Sequence, residues 1–162
     1  MNAPERERYG PRARPLPYER GTDGPRVVLV GVDGSRTSMR AAAYAAGLAR
    51  RQGATLVAVF VSSPTSYTAV LSDVVAGVVQ QTHDDLTDDL RDECRRTAEE
   101  LGLPVTFLSR RGDAYTELCR AADEQQADMV VVGSSEQAGH RLVGSVATRL
   151  VRAGRWPVVV VP

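Results

Sequence analysis

A doubly wound α/β domain, with a parallel sheet covered by helices on both faces, is the architecture this sequence predicts. Three observations predict it. Five short apolar runs recur along the chain: VVLVGV, LVAVFV, PVTFL, MVVV and VVVV. The stretches between them carry apolar residues at helical spacing. The runs are continuous rather than alternating, so each strand is expected to be buried on both faces, as in a parallel sheet flanked by helices. Right-handed crossovers then restrict a β-α-β-α-β-α-β-α-β chain to a doubly wound topology. In such sheets ligands sit beyond the carboxyl ends of the strands, where the strand order reverses.

Composition narrows the function classes. The chain has 162 residues, 20 basic and 20 acidic, for a formal net charge of zero. One domain is expected, and bulk attraction to nucleic acid or to an anionic membrane is not indicated. Every basic residue is arginine, which together with the abundant Ala, Val and Gly points to a GC-rich bacterial source. Cys94 and Cys119 form no CxxC and read as reduced thiols of a cytoplasmic protein. No apolar run approaches the roughly 20 residues that span a bilayer. Charge and proline occupy the place of a signal peptide's apolar region, so export is not expected.

Taken in order, residues 1–25 hold five prolines among charges of both signs and are expected to form a disordered or loosely attached tail. Residues 26–162 are the domain. Val27 to Val32 is the first strand. Asp33-Gly34-Ser35 ends it, and Ser35 is placed to cap a helix over about Thr37 to Gln52, stopped by Gly53. Leu56 to Val61 is the second strand, ended at Ser62-Ser63-Pro64. Thr65 to Ser72 reads as a loop. A one-sided helix over about Asp73 to Leu101 follows, with Leu86, Leu90, Cys94 and Ala98 inward and Asp92 set to pair with Arg96. Its aspartates at 84, 85, 88 and 89 read as a solvated face rather than a metal site. Pro104 to Leu108 is the third strand, Arg110 to Asp113 a turn, and Asp113 the cap of a helix over about Ala114 to Gln125. Met129 to Val132 is the fourth strand. The last helix runs from about Ser145 to Ala153, and Val158 to Val161 is the last strand.

The functional clue lies in Met129 to Val146, MVVVGSSEQAGHRLVGSV. A buried strand stops at Gly133, a small-residue loop follows, and Gly144-Ser145-Val146 opens a helix. Such a loop presents backbone N–H groups at a helix N-terminus to an anion. If the first and fourth strands are neighbours, Asp33 and this loop face one crevice. Other chemistry is poorly supported. His83 and His140 lack partners at zinc-ligand spacing. No serine sits in a GxSxG elbow, and GSSEQAGHRLVGS lacks the ending of a P-loop. With no general base or metal-ligand set beside the loop, catalytic turnover is the weakest reading.

VVLVGVDGS, LVAVFVSSP, ADMVVVGS and VGSVATRLVRAGRWPVVVVP together resemble the universal stress protein family, and the likeness covers everything but the tail. It implies a five-stranded parallel sheet of order 3-2-1-4-5, of the kind also seen in adenine nucleotide alpha hydrolases. It further implies homodimers joined through Val158 to Val161; neither nucleic acid nor membrane is expected as a partner, from the zero net charge. Many members bind ATP through a loop reading Gly, two residues, Gly, nine residues, then Gly-Ser or Gly-Thr. By position, the resemblance puts Asp33 near the adenine or ribose and Val61 against the base. Gly133 and Ser135 would begin the phosphate loop, and Gly144, Ser145 and Val146 would close on the phosphates, with Mg²⁺ as a companion ion.

This chain departs from the pattern. Glu136 stands at the second glycine, and seven residues rather than nine separate it from Gly144. A carboxylate repels a triphosphate unless a cation bridges them. Gly139 in a shifted register, with His140 and Arg141 adding positive charge, would offset the change. The expectation is a stress-response binding or signalling module for an adenine nucleotide. The alternatives are a nucleotide-free homodimeric interaction protein and a slow ATPase.

Overall fold

The structure, a computed structural model, describes residues 5–11, 24–63, 73–135 and 144–162, with side chains from residue 6 onward and, in the long helix, from residue 82 onward. Thr65 to Ser72, read as a loop, lies outside the described residues, as do Glu136, Gly139, His140 and Arg141. The elements are β1 (Glu5–Tyr9), β2 (Val27–Val32), α1 (Arg36–Gln52), β3 (Thr55–Ser62), α2 (Asp73–Leu101), β4 (Val105–Arg111), α3 (Ala114–Glu124), β5 (Met129–Gly133), α4 (Ser145–Ala153) and β6 (Val158–Val161). They form one sheet of order β1-β4-β3-β2-β5-β6. From β4 to β6 every pairing is parallel, and those five strands follow the expected 3-2-1-4-5 order.

The sheet has six strands, not five. Within the stretch expected to be a loose tail, Glu5–Tyr9 pairs antiparallel with β4, Glu5 opposite Ser109 and Tyr9 opposite Val105. Its sequence, ERERY, hides a strand because it lies on an edge and is tied down by charge, with Tyr9 alone packing against the core. Glu7 accepts hydrogen bonds from Arg91 of α2 and from the Tyr9 hydroxyl. Arg95 lies over the Tyr9 ring at 5.3 Å. Burial, then the bond to Glu7, pushes the Tyr9 hydroxyl pKa up to about 12.

Alternation along the strands sorts the core into two layers. Val28, Val30, Val32, Ala58, Phe60 and Phe107 face α1 and α2, while Leu29, Val57, Val59, Leu108, Val130 and Val132 face α3 and α4. Helix α1 packs closely because it presents alanine: Ala41, Ala45 and Ala49 are fully buried. Leu90 and Ala98 of α2 are buried and Leu86 and Cys94 are partly so, as their spacing predicts. Burial first, then Glu93 and Glu7, pushes the Cys94 thiol up to about 12, which suits a small core residue and not a reactive one. The ion pairs on α2 differ from the expected Asp92–Arg96: Arg95 takes Asp92 at 2.7 Å, and Arg96 takes Glu93 at 2.5 Å.

β4 also runs further than its apolar residues. The segment read as a turn from Arg110 continues in register, Val61 opposite Arg110 and Ser62 opposite Arg111. Arg110 is buried against α3, where Glu124 takes its guanidinium and Glu117 lies 3.6 Å away. A buried guanidinium is tolerated only with such partners, and they come from the next helix, out of reach of a local reading.

Candidate functional site

Strands β3 and β4 extend the sheet to one side of β2, and β5 and β6 extend it to the other, so the strand order reverses between β2 and β5. A cleft with a cavity volume of about 210 Å³ lies at the carboxyl ends of those two strands, smaller than the roughly 300–1,000 Å³ usual for small-molecule sites. Asp33, Val61, Gly133, Ser135, Gly144, Ser145 and Val146 all line it. Residues far apart in sequence therefore share one wall-to-wall space because β2 and β5 are hydrogen-bonded neighbours.

One wall is the turn from β2 into α1. The Asp33 carboxylate accepts the Ser35 N–H at 2.9 Å, a local turn that aspartate favours. Gly34 completes it at φ 80°, where a Cβ would also meet Leu86 at 2.9 Å. Ser35 then caps α1, its hydroxyl accepting the Ser38 N–H at 3.2 Å. The Ser38 hydroxyl donates to the Ser35 carbonyl at 3.0 Å and accepts the Asp33 N–H at 3.2 Å. Desolvation, the largest single influence, raises the Asp33 pKa. The combined hydrogen bonds of Ser35, Ser38 and the Asp33 backbone outweigh it and hold the carboxyl below its ordinary value. Asp33 is therefore an anion at neutral pH, and it lines the cleft.

The opposite wall is the exit of β5 and the entry of α4. Gly133 packs so closely on α1 that a Cβ there would lie 2.6–2.8 Å from the backbone of Thr37 and Ser38. The Thr37 hydroxyl donates to the Ser134 carbonyl at 2.7 Å, and the Ser134 N–H donates to Val161 at 2.8 Å. Gly144 is the N-cap of α4 and supplies no side-chain cap. The first bond inside that helix runs from the Thr148 N–H to the Gly144 carbonyl at 2.9 Å. The amides of Ser145, Val146 and Ala147 thus have no acceptor within their own helix and stand at its positive end. Between the walls, Val32, Val59, Val61, Leu118 and Val132 give the cleft an apolar floor.

Ser35, the expected cap of α1, and Ser134, within the expected small-residue loop, also line the cleft. So do Thr37 and Ser38, which carried no site reading, although the run of hydroxyls in SRTS beside Asp33 was the available signal.

A match to the Universal stress protein family runs over residues 25–162. The chain belongs to that family. A universal stress protein of Methanocaldococcus jannaschii is 24% identical over 136 residues, covering 83% of this chain and 80% of that one. Among solved structures, a universal stress protein of Lactobacillus plantarum superposes with a TM-score of 0.68 at 22% identity, covering 84% of this chain and 97% of that chain, which shows the shared fold. A universal stress protein solved in complex with cAMP superposes with a TM-score of 0.63 at 27% identity, covering 85% and 97%. Among the described residues of this family member, no helix is long and apolar enough to cross a membrane.

Proposed function

We propose that this universal stress protein binds an adenine nucleotide, ATP with its Mg²⁺, in the β2/β5 cleft and acts as a stress-response binding and signalling module. One observation carries the reading: a carboxylate, an apolar floor and an open helix N-terminus line the same space at the switch point. Each suits a different part of a nucleotide. Val61 and its neighbours offer a surface for the base. Asp33 can accept a hydrogen bond from a ribose hydroxyl or from the adenine amino group. Gly133 and Gly144 let backbone approach closely, and the α4 amides with the Ser145 hydroxyl favour phosphate. Among the described residues no group of three His, Cys, Asp or Glu side chains could hold a metal ion, so Mg²⁺ is expected to arrive on the phosphates. The family neighbour solved with cAMP supports the class of ligand.

The reading extends to a bacterial cytoplasmic protein with free thiols at Cys94 and Cys119, and to a homodimer. Val158 to Val161 are all half-exposed and lie at the sheet's end beside β5, the kind of edge that a second copy covers.

Titration calorimetry with ATP and MgCl₂ tests the reading. Saturable binding is expected, with Asp33→Ala weakening it about tenfold or more, as loss of a charged hydrogen bond does. No heat at millimolar ATP from folded protein would leave the nucleotide-free interaction protein as the better account. Unchanged affinity in Asp33→Ala would move the ligand away from this cleft.

A further inference from the structure

The described residues lining the cleft include one carboxylate, Asp33, and no cationic side chain. Among the described residues, a polyphosphate there would meet helix amides and hydroxyls but no formal positive charge. A cation stands at the rim. Arg149 lies one helical turn beyond Ser145 on α4, and long helical side chains lean back toward the helix N-terminus. Its Nη1 sits 3.2 and 3.3 Å from the two carboxylate oxygens of Asp113, and its guanidinium lies 4.1 Å over the Tyr115 ring. Asp113 and Tyr115 flank Ala114, which lines the cleft, as Ser145 and Val146 do from the α4 side. The guanidinium therefore bridges the N-terminal turns of the two helices that form one side of the mouth.

The Asp113 side of that bridge holds Arg149 only weakly. Both partners are about half exposed, at 49% and 53%, and such pairs contribute little. Asp113 has its own work: its carboxylate caps α3, accepting the Thr116 N–H at 2.9 Å and the Thr116 hydroxyl at 2.7 Å. It stays satisfied when Arg149 leaves. The Tyr115 ring lies under the guanidinium at the rim, and a phosphate can accept the planar arginine fork through two nitrogens, whereas the Asp113 bridge runs through Nη1.

We infer that Arg149 is a phosphate-binding residue of the cleft, parked on Asp113 in the free protein and transferred to the ligand's phosphates on binding. The inference rests on the nucleotide reading above and adds to it a source of positive charge among the described residues.

Calorimetry with ATP, AMP and adenosine on wild type, Arg149→Gln, Arg149→Lys and Asp113→Asn tests it, with circular dichroism to confirm folding. Arg149→Gln is expected to weaken ATP about fivefold to tenfold, AMP less, and adenosine not at all, with Arg149→Lys in between. Asparagine caps helices as well as aspartate does, so Asp113→Asn keeps α3 intact, releases Arg149 and tightens ATP about twofold to threefold. A bridge that only braces the two helices would make Arg149→Gln and Asp113→Asn change ATP affinity in the same direction, and adenosine along with it. That result overturns the inference. Wild-type binding of ATP with every variant unchanged overturns it alone. Wild-type protein that binds none of the three ligands overturns the nucleotide reading, and the role of Arg149 falls with it.

Discussion

At Gly133 a hydrogen atom stands where any other residue would place a methyl group, 2.6–2.8 Å from the α1 backbone. Backbone cannot swing aside as a flexible side chain can, so β5 and α1 would have to separate. Gly133→Ala is expected to cost about 1–3 kcal/mol, as overpacking does, and to lower the melting temperature by roughly 3–10 °C in a chain of this size. Differential scanning fluorimetry checks it. Asp33 makes the complementary point about charge. Its folded pKa lies below its unfolded value, so its ionised form stabilises the fold at neutral pH, and that contribution disappears as pH falls through the ordinary carboxylate value of about 4 and below the folded pKa. Denaturant melts of wild type and Asp33→Asn at pH 7, 5 and 3 are expected to differ most at pH 7 and to converge on acidification. A gap that widened toward acid would mean that the carboxyl is raised instead.

The elements divide by where their stabilising partners lie. VVLVGV, LVAVFV and MVVV are strands by their own composition. Ser35 and Asp113 cap α1 and α3 through bonds that close within three residues, and Gly53, Gly102 and Gly154 stop three helices at positive φ. All of these were legible because the causes are local. β1 and the last residues of β4 were not. ERERY is held by Arg91 and Arg95, more than eighty residues away, and Arg110 is held by Glu117 and Glu124 on the following helix. Charge anchored at a distance leaves no periodic signature. The site shows the same division. The seven residues expected there came from loop chemistry and a family pattern and line the cleft, whereas the role inferred for Arg149 rests on α3 and α4 lying side by side. Removing residues 1–11 tests the worth of β1. It strips the cover from β4, and the melting temperature is expected to fall by about 3–10 °C, for a loss of roughly 1–3 kcal/mol, with more self-association on light scattering.

For the molecule as a whole, the antiparallel β1 covers the β4 side of the sheet and leaves β6 at the other end. Pro157 accepts the Val130 N–H of β5 and Val161 accepts the Ser134 N–H just beyond it, so by alternation Val158 and Val160 turn their backbone groups outward. Val160→Pro removes an outward donor without touching the β5 ladder. Size-exclusion chromatography with light scattering is expected to show a dimer for wild type and a monomer for Val160→Pro; a dimer in both would place the interface elsewhere. One further feature bears on the whole chain. A Cβ on Gly144 would touch Ser135 at 3.1 Å, so the residues that open and close the 136–143 segment stand side by side. Two gateposts set so close accept spans of many lengths, because closure entropy changes only slowly with residue number. The length of the span between them therefore bears only weakly on the scaffold, and insertion or deletion there is expected to leave the sheet and its helices unaltered.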